Sequence, residues 1–443
     1  MSNKTDSEQK QTFIDWFRST SPYVNAHRGK TLVLVFGGEA VAGKKFDSLV
    51  HDIAILNSLG IRLVLIHGAR PQIEDRLKRD GLDSSYHDGL RITDSASLQC
   101  VQEASGSIRV EIESLLSMGV ANTPMSGAHI RVVSGNMVTA QPVGVRDGID
   151  FQHTGVVRRL DVDAIEARLS QGDIVLLSPL GYSPTGEAFN LSAEDVATSA
   201  AIELQADKLI FLLEGSGVQD GKKQLIRELT PGEAEHLLNG KRKLPDEVVK
   251  HLRSAVHACR FGVRRSHLIQ RRQDGAMLQE LFTRDGTGTM VTAETFEEMR
   301  CASINDVGGI IELIKPLEEN GTLVKRSRER LEIEIDQFTV IERDGMIIGC
   351  AAIHAYPKEK VAELACLAVH PEYLRQGHGE QLLMHIEKQA RSQGLSELFI
   401  LTTQTAHWFQ ERGFKQSDIK SLPVTRKSTC NYRRKSKLFF KYH

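Results

Sequence analysis

The sequence predicts an α/β protein in two units, a three-layer α/β/α domain over residues 1–295 followed by a smaller α/β domain over 296–443. Three observations carry this. Apolar runs of strand length alternate with segments of helical periodicity, the pattern of a largely parallel sheet buried on both faces. The chain has 443 residues, more than one ordinary core organises. The alternation then resets near residue 296, where a charged stretch (Glu294 to Met299) precedes a new cap and helix.

Residues 11–28 read as an amphipathic helix, with Phe13, Ile14 and Phe17 at helical spacing and Ser21-Pro22 breaking the pattern. Such a helix either caps the domain or packs against a partner chain. Leu32 to Phe36 reads as a strand, followed by Gly37-Gly38 and a helix through Phe46 to Leu59. A strand over Arg62 to Ile66 leads through His67-Gly68-Ala69-Arg70-Pro71 into another helix. Further strands are expected at His129 to Val133, Ile174 to Leu177 and Lys208 to Leu213, with a helix at Ala193 to Leu204 between the last two. In the second unit, Ser303 to Asp306 has the form of a helix cap before Val307 to Ile314. A hairpin (Phe338 to Ile341, Met346 to Ile353) turns at Arg343-Asp344-Gly345. A strand at Ala362 to Val369, a glycine loop, a helix from Gly379 to Gln393 and a strand at Leu398 to Thr402 complete it.

Composition narrows the function classes. Net charge is −1, so attraction of the whole molecule to nucleic acid or membrane is not expected. Local basic clusters (Arg264-Arg265, Lys325 to Arg330, Arg433 to Lys437) read most simply as solvated faces. The 6 cysteines form no C-x-x-C pair, which argues against a disulfide scaffold or structural zinc. Met1 to Lys10 lacks the apolar core of a signal peptide, and no apolar run approaches the roughly 20 residues of a membrane helix. A cytoplasmic protein is the expectation.

The most informative stretch is Glu363 through Leu383, which runs strand, proline turn, glycine loop, helix. Gly377 and Gly379 let backbone N–H groups approach a phosphate, and the helix start adds the positive end of its dipole. The sequence has no Walker lysine and no full dinucleotide fingerprint. The alternative is a tight turn before a core helix. This segment resembles the acetyl-CoA motif of the GNAT acetyltransferases, in which a strand with free backbone groups pairs with the pantetheine arm and an R/Q-x-x-G-x-G/A loop holds the pyrophosphate. The loop here is Leu374-Arg-Gln-Gly-His-Gly379; Leu374 replaces the usual Arg or Gln, and Arg375 is the nearest substitute charge. The resemblance implies cofactor contacts from Cys366, Leu367, Ala368, Val369, Arg375, Gln376, Gly377, His378, Gly379 and Glu380.

Amide formation from an ammonium and a thioester needs a proton acceptor and donors for the developing oxyanion. Glu363, at the start of the cofactor strand, is the candidate base, its alternative being a solvated strand-end carboxylate. A glutamate serves as a base near neutrality when its surroundings are partly apolar or a water relays the proton. Backbone N–H groups near Cys366 and Leu367 are the candidate oxyanion donors. Cys366 itself reads as core rather than nucleophile.

Over nearly the whole chain the sequence resembles the bacterial N-acetylglutamate synthases, which join an amino-acid-kinase-like domain to a GNAT domain. The matching stretches include His27 to Thr31, Gly37 to Ala40, Gly68 to Gln72, Phe189 to Leu191, Phe282 to Gly286 and Trp408 to Phe414. The resemblance implies L-glutamate as acceptor, acetyl-CoA as co-substrate, no metal, a homo-oligomer with a hexamer as the candidate size, and the first step of arginine biosynthesis. It assigns Glu363 as base, Thr402 to the reacting groups, and Arg326, Arg434 and Ser436 to the glutamate. A dicarboxylate needs cationic or hydrogen-bonding anchors, and arginine binds carboxylates bidentately. The alternative for both arginines is surface charge.

Amino-acid kinases open on K-x-G-G and carry a second H-G-G-G-type loop; here these are Val35-Phe-Gly-Gly38 and His67-Gly-Ala-Arg70. Valine cannot stabilise transferring phosphate, so the fold is expected without the kinase chemistry. Glu280 to Thr289 resembles the arginine-sensing stretch of this family. It implies inhibition by L-arginine at a site including His267, Glu280 and Gly286, the alternative being a turn that only closes the sheet. Rival readings are an active N-acetylglutamate kinase with an appended domain, a non-catalytic amino-acid sensor, and an acetyltransferase acting on another amine.

Overall fold

The computed structural model describes residues 2–117, 130–240, 242–293, 297–343, 345–429, 434 and 436–442, with side chains described from residue 13 onward. It divides into two compact units, Met1–Glu294 and Thr295–His443.

An 8-stranded sheet forms the centre of the first unit, in the order 228–229, 289–292, 265–270, 208–213, 31–36, 62–67, 174–177, 132–133. Every neighbouring pair is parallel except 265–270 with 289–292. Side chains alternate across a strand, so one apolar run fills two cores. Val33, Val35, Val64, Ile66, Leu209 and Phe211 pack on one face with the helices Val162–Ser170, Ala193–Glu203 and Asp246–Arg260. Leu32, Leu34, Phe36, Leu63, Leu65 and Ile210 pack on the other with Phe46–Ser58, Arg70–Arg79 and Ser95–Ser117. Each such side chain, fully buried, contributes about 1.5–3 kcal/mol. A second sheet of 4 strands (188–190, 180–182, 138–142, 155–160) lies outside the sequence reading, as does the helix Ser95–Ser117.

Several boundaries move. The leading helix spans Ser2–His27 and continues through Pro22 rather than breaking there. Proline costs a helix its hydrogen bond to the preceding turn. Here the hydroxyls of Ser19 and Ser21 donate to the carbonyls of Trp16 (2.7 Å) and Phe17 (2.8 Å). The helix docks by its last turns: His27 is buried and its Nε2 lies 2.7 Å from the Leu281 carbonyl. Phe13, Trp16 and Phe17 stand more than half exposed. The strand expected at His129 to Val133 is Val132–Val133, with His129 outside the described residues.

In the second unit, 7 strands run in the order 297–301, 338–343, 346–356, 361–369, 397–402, 437–442, 415–417. Only 361–369 and 397–402 pair in parallel. The stretch read as a charged break is itself a strand, Glu297–Cys301, because an edge strand tolerates charge on its open side. The expected cap is present, with Ser303 and Asp306 in a reciprocal capping box. The helix it opens runs Val307–Glu319, past the predicted end. Among the described residues no helix is long and apolar enough to cross a membrane.

Candidate active site

Strand 361–369 carries the site because of one irregularity. Cys366 adopts φ +52°, and its register against 346–356 slips so that Cys366 and Leu367 together oppose Ala351. A bulge of this kind kinks a strand and reverses which face its side chains meet. Ala362 and Leu364 accordingly lie in one core, Cys366 and Ala368 in the other. Pairing with 397–402 ends at Glu363–Phe399, while that strand remains paired on its far side through Thr402–Lys437. The two parallel strands therefore part beyond Glu363. The edge from Leu364 to Val369 offers main-chain donors and acceptors to whatever enters, as an extended pantetheine would require.

At the wide end stands the loop from Pro371 to Gly377 and the helix His378–Ser392. Arg375 (φ +65°) and Gly377 (φ +91°) are both left-handed, which curls the loop over the helix start. Among the described residues no internal hydrogen bond is made by the N–H groups of Arg375, Gln376 or Gly377. First-turn N–H groups have no helical partner either, so the array suits a pyrophosphate. The sequence left the direction of the His378 side chain open. Its ring is 4% exposed and faces inward, with Nε2 2.9 Å from a Glu297 oxygen and Nδ1 3.2 Å from the Tyr373 carbonyl. The ring thereby anchors the loop, and the main chain is what His378 has left for a ligand. Glu380 lies 3.3 Å from Arg412, and Gln376 donates to the Glu372 carbonyl at 3.2 Å.

Glu363 sits where the strands part and is 4% exposed. Both its oxygens are engaged by Arg426, Nε to Oε2 at 2.6 Å and Nη2 to Oε1 at 2.9 Å; Tyr356 donates to Oε2 at 3.4 Å. His354 opposes Glu363 across the sheet, and its ring is hydrogen-bonded to the Gln337 side-chain oxygen. Burial lowers the His354 imidazole's pKa, with the charges of Glu363 and Glu334 acting against that and Arg326 reinforcing it. None of Arg426, Tyr356 or His354 was singled out by the sequence. Only the need of a buried carboxylate for a counter-charge could have called for Arg426.

Arg326 and Arg434 come together. Arg434 donates to the carbonyls of Gly321 (2.6 Å) and Thr322 (2.5 Å), and burial together with the Arg326 charge lowers its pKa. Arg326 donates to the Val324 carbonyl at 3.3 Å, while its Nε is buried without a hydrogen-bond partner among the described residues. Two guanidinium groups side by side, one with a stranded donor, constitute a place for an anion. Ser436 directly precedes Lys437, the partner of Thr402. The Thr402 hydroxyl accepts from its own turn, from Thr405 N at 3.2 Å and Gln404 N at 3.4 Å.

In the first unit the residues expected to bind arginine also converge. His267 Nδ1 lies 2.7 Å from Glu280 Oε1, and Lys208 Nζ 3.3 Å from the other ring nitrogen. Glu280 Oε2 accepts from the N–H groups of Thr287 (2.6 Å) and Gly288 (2.8 Å). Burial raises the Glu280 pKa, but the His267 hydrogen bond and charge and the two amides outweigh it, holding it at about 2. Gly286 (φ +56°) packs so closely that a Cβ there would fall 2.4 Å from that carboxylate. Glu280 thus ties its own turn together.

The two loops compared with the kinase motifs show a similar internal closure. Val35 is buried in the sheet core, and Gly68 N donates to the Phe36 carbonyl at 2.7 Å. Arg70 lies over the Tyr86 ring at 4.9 Å. The N–H groups of Glu214 and Gly215, past the end of strand 208–213, are taken by the Glu247 carboxylate at 2.7 and 3.1 Å. Among the described residues one group has metal-ligand spacing, His87, Asp88 and Asp147, at exposed hairpin turns where such clusters are ordinary surface.

The amino acid kinase family matches residues 30–270 and the acetyltransferase (GNAT) family residues 309–414. An amino-acid acetyltransferase of Azotobacter vinelandii is 55% identical over 430 residues, covering 97% of this chain and 99% of the relative. That of Escherichia coli K12 is 50% identical over 434 residues, covering 97% and 98%. The crystal structure of N-acetylglutamate synthase from Neisseria gonorrhoeae complexed with coenzyme A and L-arginine is similar with a TM-score of 0.87 and 39% identity, covering 97% of this chain and 99% of that one. The same enzyme complexed with coenzyme A and N-acetyl-glutamate gives a TM-score of 0.62 and 40% identity at the same coverage. With a parted strand pair and glycine loop in one unit, a kinase-type sheet in the other and relatives matched end to end, this chain belongs to the amino-acid acetyltransferases, the N-acetylglutamate synthase family.

Proposed function

We propose that this chain transfers the acetyl group of acetyl-CoA to the α-amine of L-glutamate, giving N-acetyl-L-glutamate as the first step of arginine biosynthesis in the cytoplasm. The observation that carries the acceptor is the stranded Arg326 Nε beside the Arg434 guanidinium, a dibasic pair suited to a dicarboxylate. The pantetheine lies along the free edge Leu364 to Val369, with the pyrophosphate on the loop amides from Arg375 to Gly379. This places the thioester toward Glu363. The carboxylate takes a proton from the substrate ammonium, directly or through a water, so an N–H bond breaks and the lone pair stays on nitrogen. That lone pair attacks the thioester carbonyl, and main-chain N–H groups near Cys366 and Leu367 receive the oxyanion. Collapse expels the thiolate of coenzyme A; the nitrogen, now bonded to the carbonyl carbon, gives up its second proton to that sulfur to leave the neutral amide, while the carboxylate returns its own proton to solvent. Thr402 and Ser436 flank the leaving thiolate and the glutamate. No metal is needed by this scheme.

The first unit acts in this reading as a regulator without kinase activity, and L-arginine inhibits through the region of His267, Glu280 and Gly286. The exposed aromatic side chains of the leading helix serve a homo-oligomer. The deciding experiment is acetyl-CoA turnover with glutamate against other amino acids, with and without arginine. Activity confined to a different amine would overturn the acceptor, and unchanged turnover and substrate affinity with arginine bound would remove the regulator.

A further inference from the structure

We propose that Arg426 is the positioning residue of the catalytic carboxylate, and that it selects Oε1 of Glu363 as the oxygen that receives the proton; this rests on the reading of Glu363 as the base. A carboxylate has about four lone-pair positions. The Arg426 fork takes one on each oxygen, and the Tyr356 hydroxyl takes the second on Oε2. Among the described residues Arg426 supplies the only donor to Oε1, which leaves that oxygen with an open position.

A bidentate fork fixes more than charge. Two parallel N–H bonds hold the carboxylate plane, so the open lone pair points one way instead of sweeping with the side-chain torsions. Glu363 is anchored at the other end by strand pairing on both sides, to His354 and to Phe399. The orientation is therefore set from both ends, at the point where the two strands part. Arg426 comes from Val424–Thr429, a short helix 63 residues along the chain, so this contact is tertiary and not a by-product of the strand. A point charge such as lysine would keep the ion pair but lose the planar match.

The test is steady-state kinetics on the full chain with acetyl-CoA and L-glutamate for Arg426→Lys, Arg426→Ala, Tyr356→Phe and Glu363→Gln. Folding is followed by thermal melts and coenzyme A binding. Arg426→Ala is expected to lose about 100-fold in kcat with both KM values within about threefold of wild type, and added guanidinium ion to restore part of it. Arg426→Lys should lose about tenfold in kcat, and Tyr356→Phe, which touches the oxygen not used, less than about threefold. If Arg426→Ala fails to fold, Arg426→Lys decides. Wild-type kcat in Arg426→Lys, or a loss confined to the glutamate KM, overturns the proposal while an inactive Glu363→Gln leaves the base intact. An active Glu363→Gln overturns the base reading itself.

Discussion

Glu363 and Glu280 are both buried, 4% and 9% exposed, and both are tied to a nitrogen-bearing side chain. They differ in what remains. Around Glu280 the His267 ring, two backbone amides and the close-packed Gly286 leave the carboxylate enclosed by its own turn. Around Glu363 the donors cluster toward Oε2, and among the described residues the strand pairing with 397–402 ends there. Burial and pairing thus fail to separate a structural carboxylate from a catalytic one. On the proposed reading of Glu363 as the base, the distinguishing mark is an open acceptor position beside open main-chain groups.

Four changes test this contrast. Glu363→Gln is expected to lower kcat by about 10²–10⁴, read as acetyl-CoA turnover, with unfolding unaffected by comparison. A variant turning over normally would place Glu363 with Glu280 as a structural group. Glu280→Ala should do the opposite, costing the first unit about 3–5 kcal/mol in chemical denaturation because it strands a histidine and two amides. The Glu280 pKa is about 2 in the fold against an ordinary 4.5. Its stabilisation is therefore complete above about pH 4.5 and lost as pH falls towards 2. Stability that rose on acidification through this window would contradict the enclosed reading.

His67 extends the enclosed class to a base. Fully buried, its ring bonds Ser178 Oγ at 2.9 Å and the Gly68 carbonyl at 3.2 Å. Burial lowers its pKa from 6.5 to about 4, against the Gly68 hydrogen bond. The unfolded chain binds the proton more readily, so stability is complete above about pH 6.5 and declines towards 4 by about 3 kcal/mol. Unfolding titrations of wild type and His67→Gln should diverge in slope across that range, and parallel slopes would dismiss His67 as the cause. The smallest effect belongs to the open class: Arg326→Gln should raise the glutamate KM by about 10–100-fold with little change in the acetyl-CoA KM. Equal KM values for glutamate would return Arg326 to the surface-charge reading.

What the sequence conveyed follows from which interactions are local. The strands Ile174–Leu177 and Lys208–Leu213, apolar throughout apart from Lys208, were legible to the residue, since burial on both faces makes them near-continuous apolar runs. The glycine loop and Glu363 were legible as motif. Glu297–Cys301 was not, because its alternating charged residues look like a linker until Phe338–Arg343 lies beside them. The left-handed turn at Cys366 has no glycine to announce it, although that turn parts the strands. The inward direction of the His378 ring and the Arg426 clamp depend on partners 81 and 63 residues away, beyond any local pattern.

The His378 anchor bears on where this protein can be cut. The acetyltransferase family match covers 309–414, yet the glycine loop is held through His378 by Glu297, itself steadied by Arg343 at 2.5 Å. Arg426, Arg434 and the last strand lie beyond the other end of the match. A gene trimmed to the recognisable segment would encode the cofactor motif without the parts that aim it. The second unit is wider than the stretch that matches the acetyltransferase family.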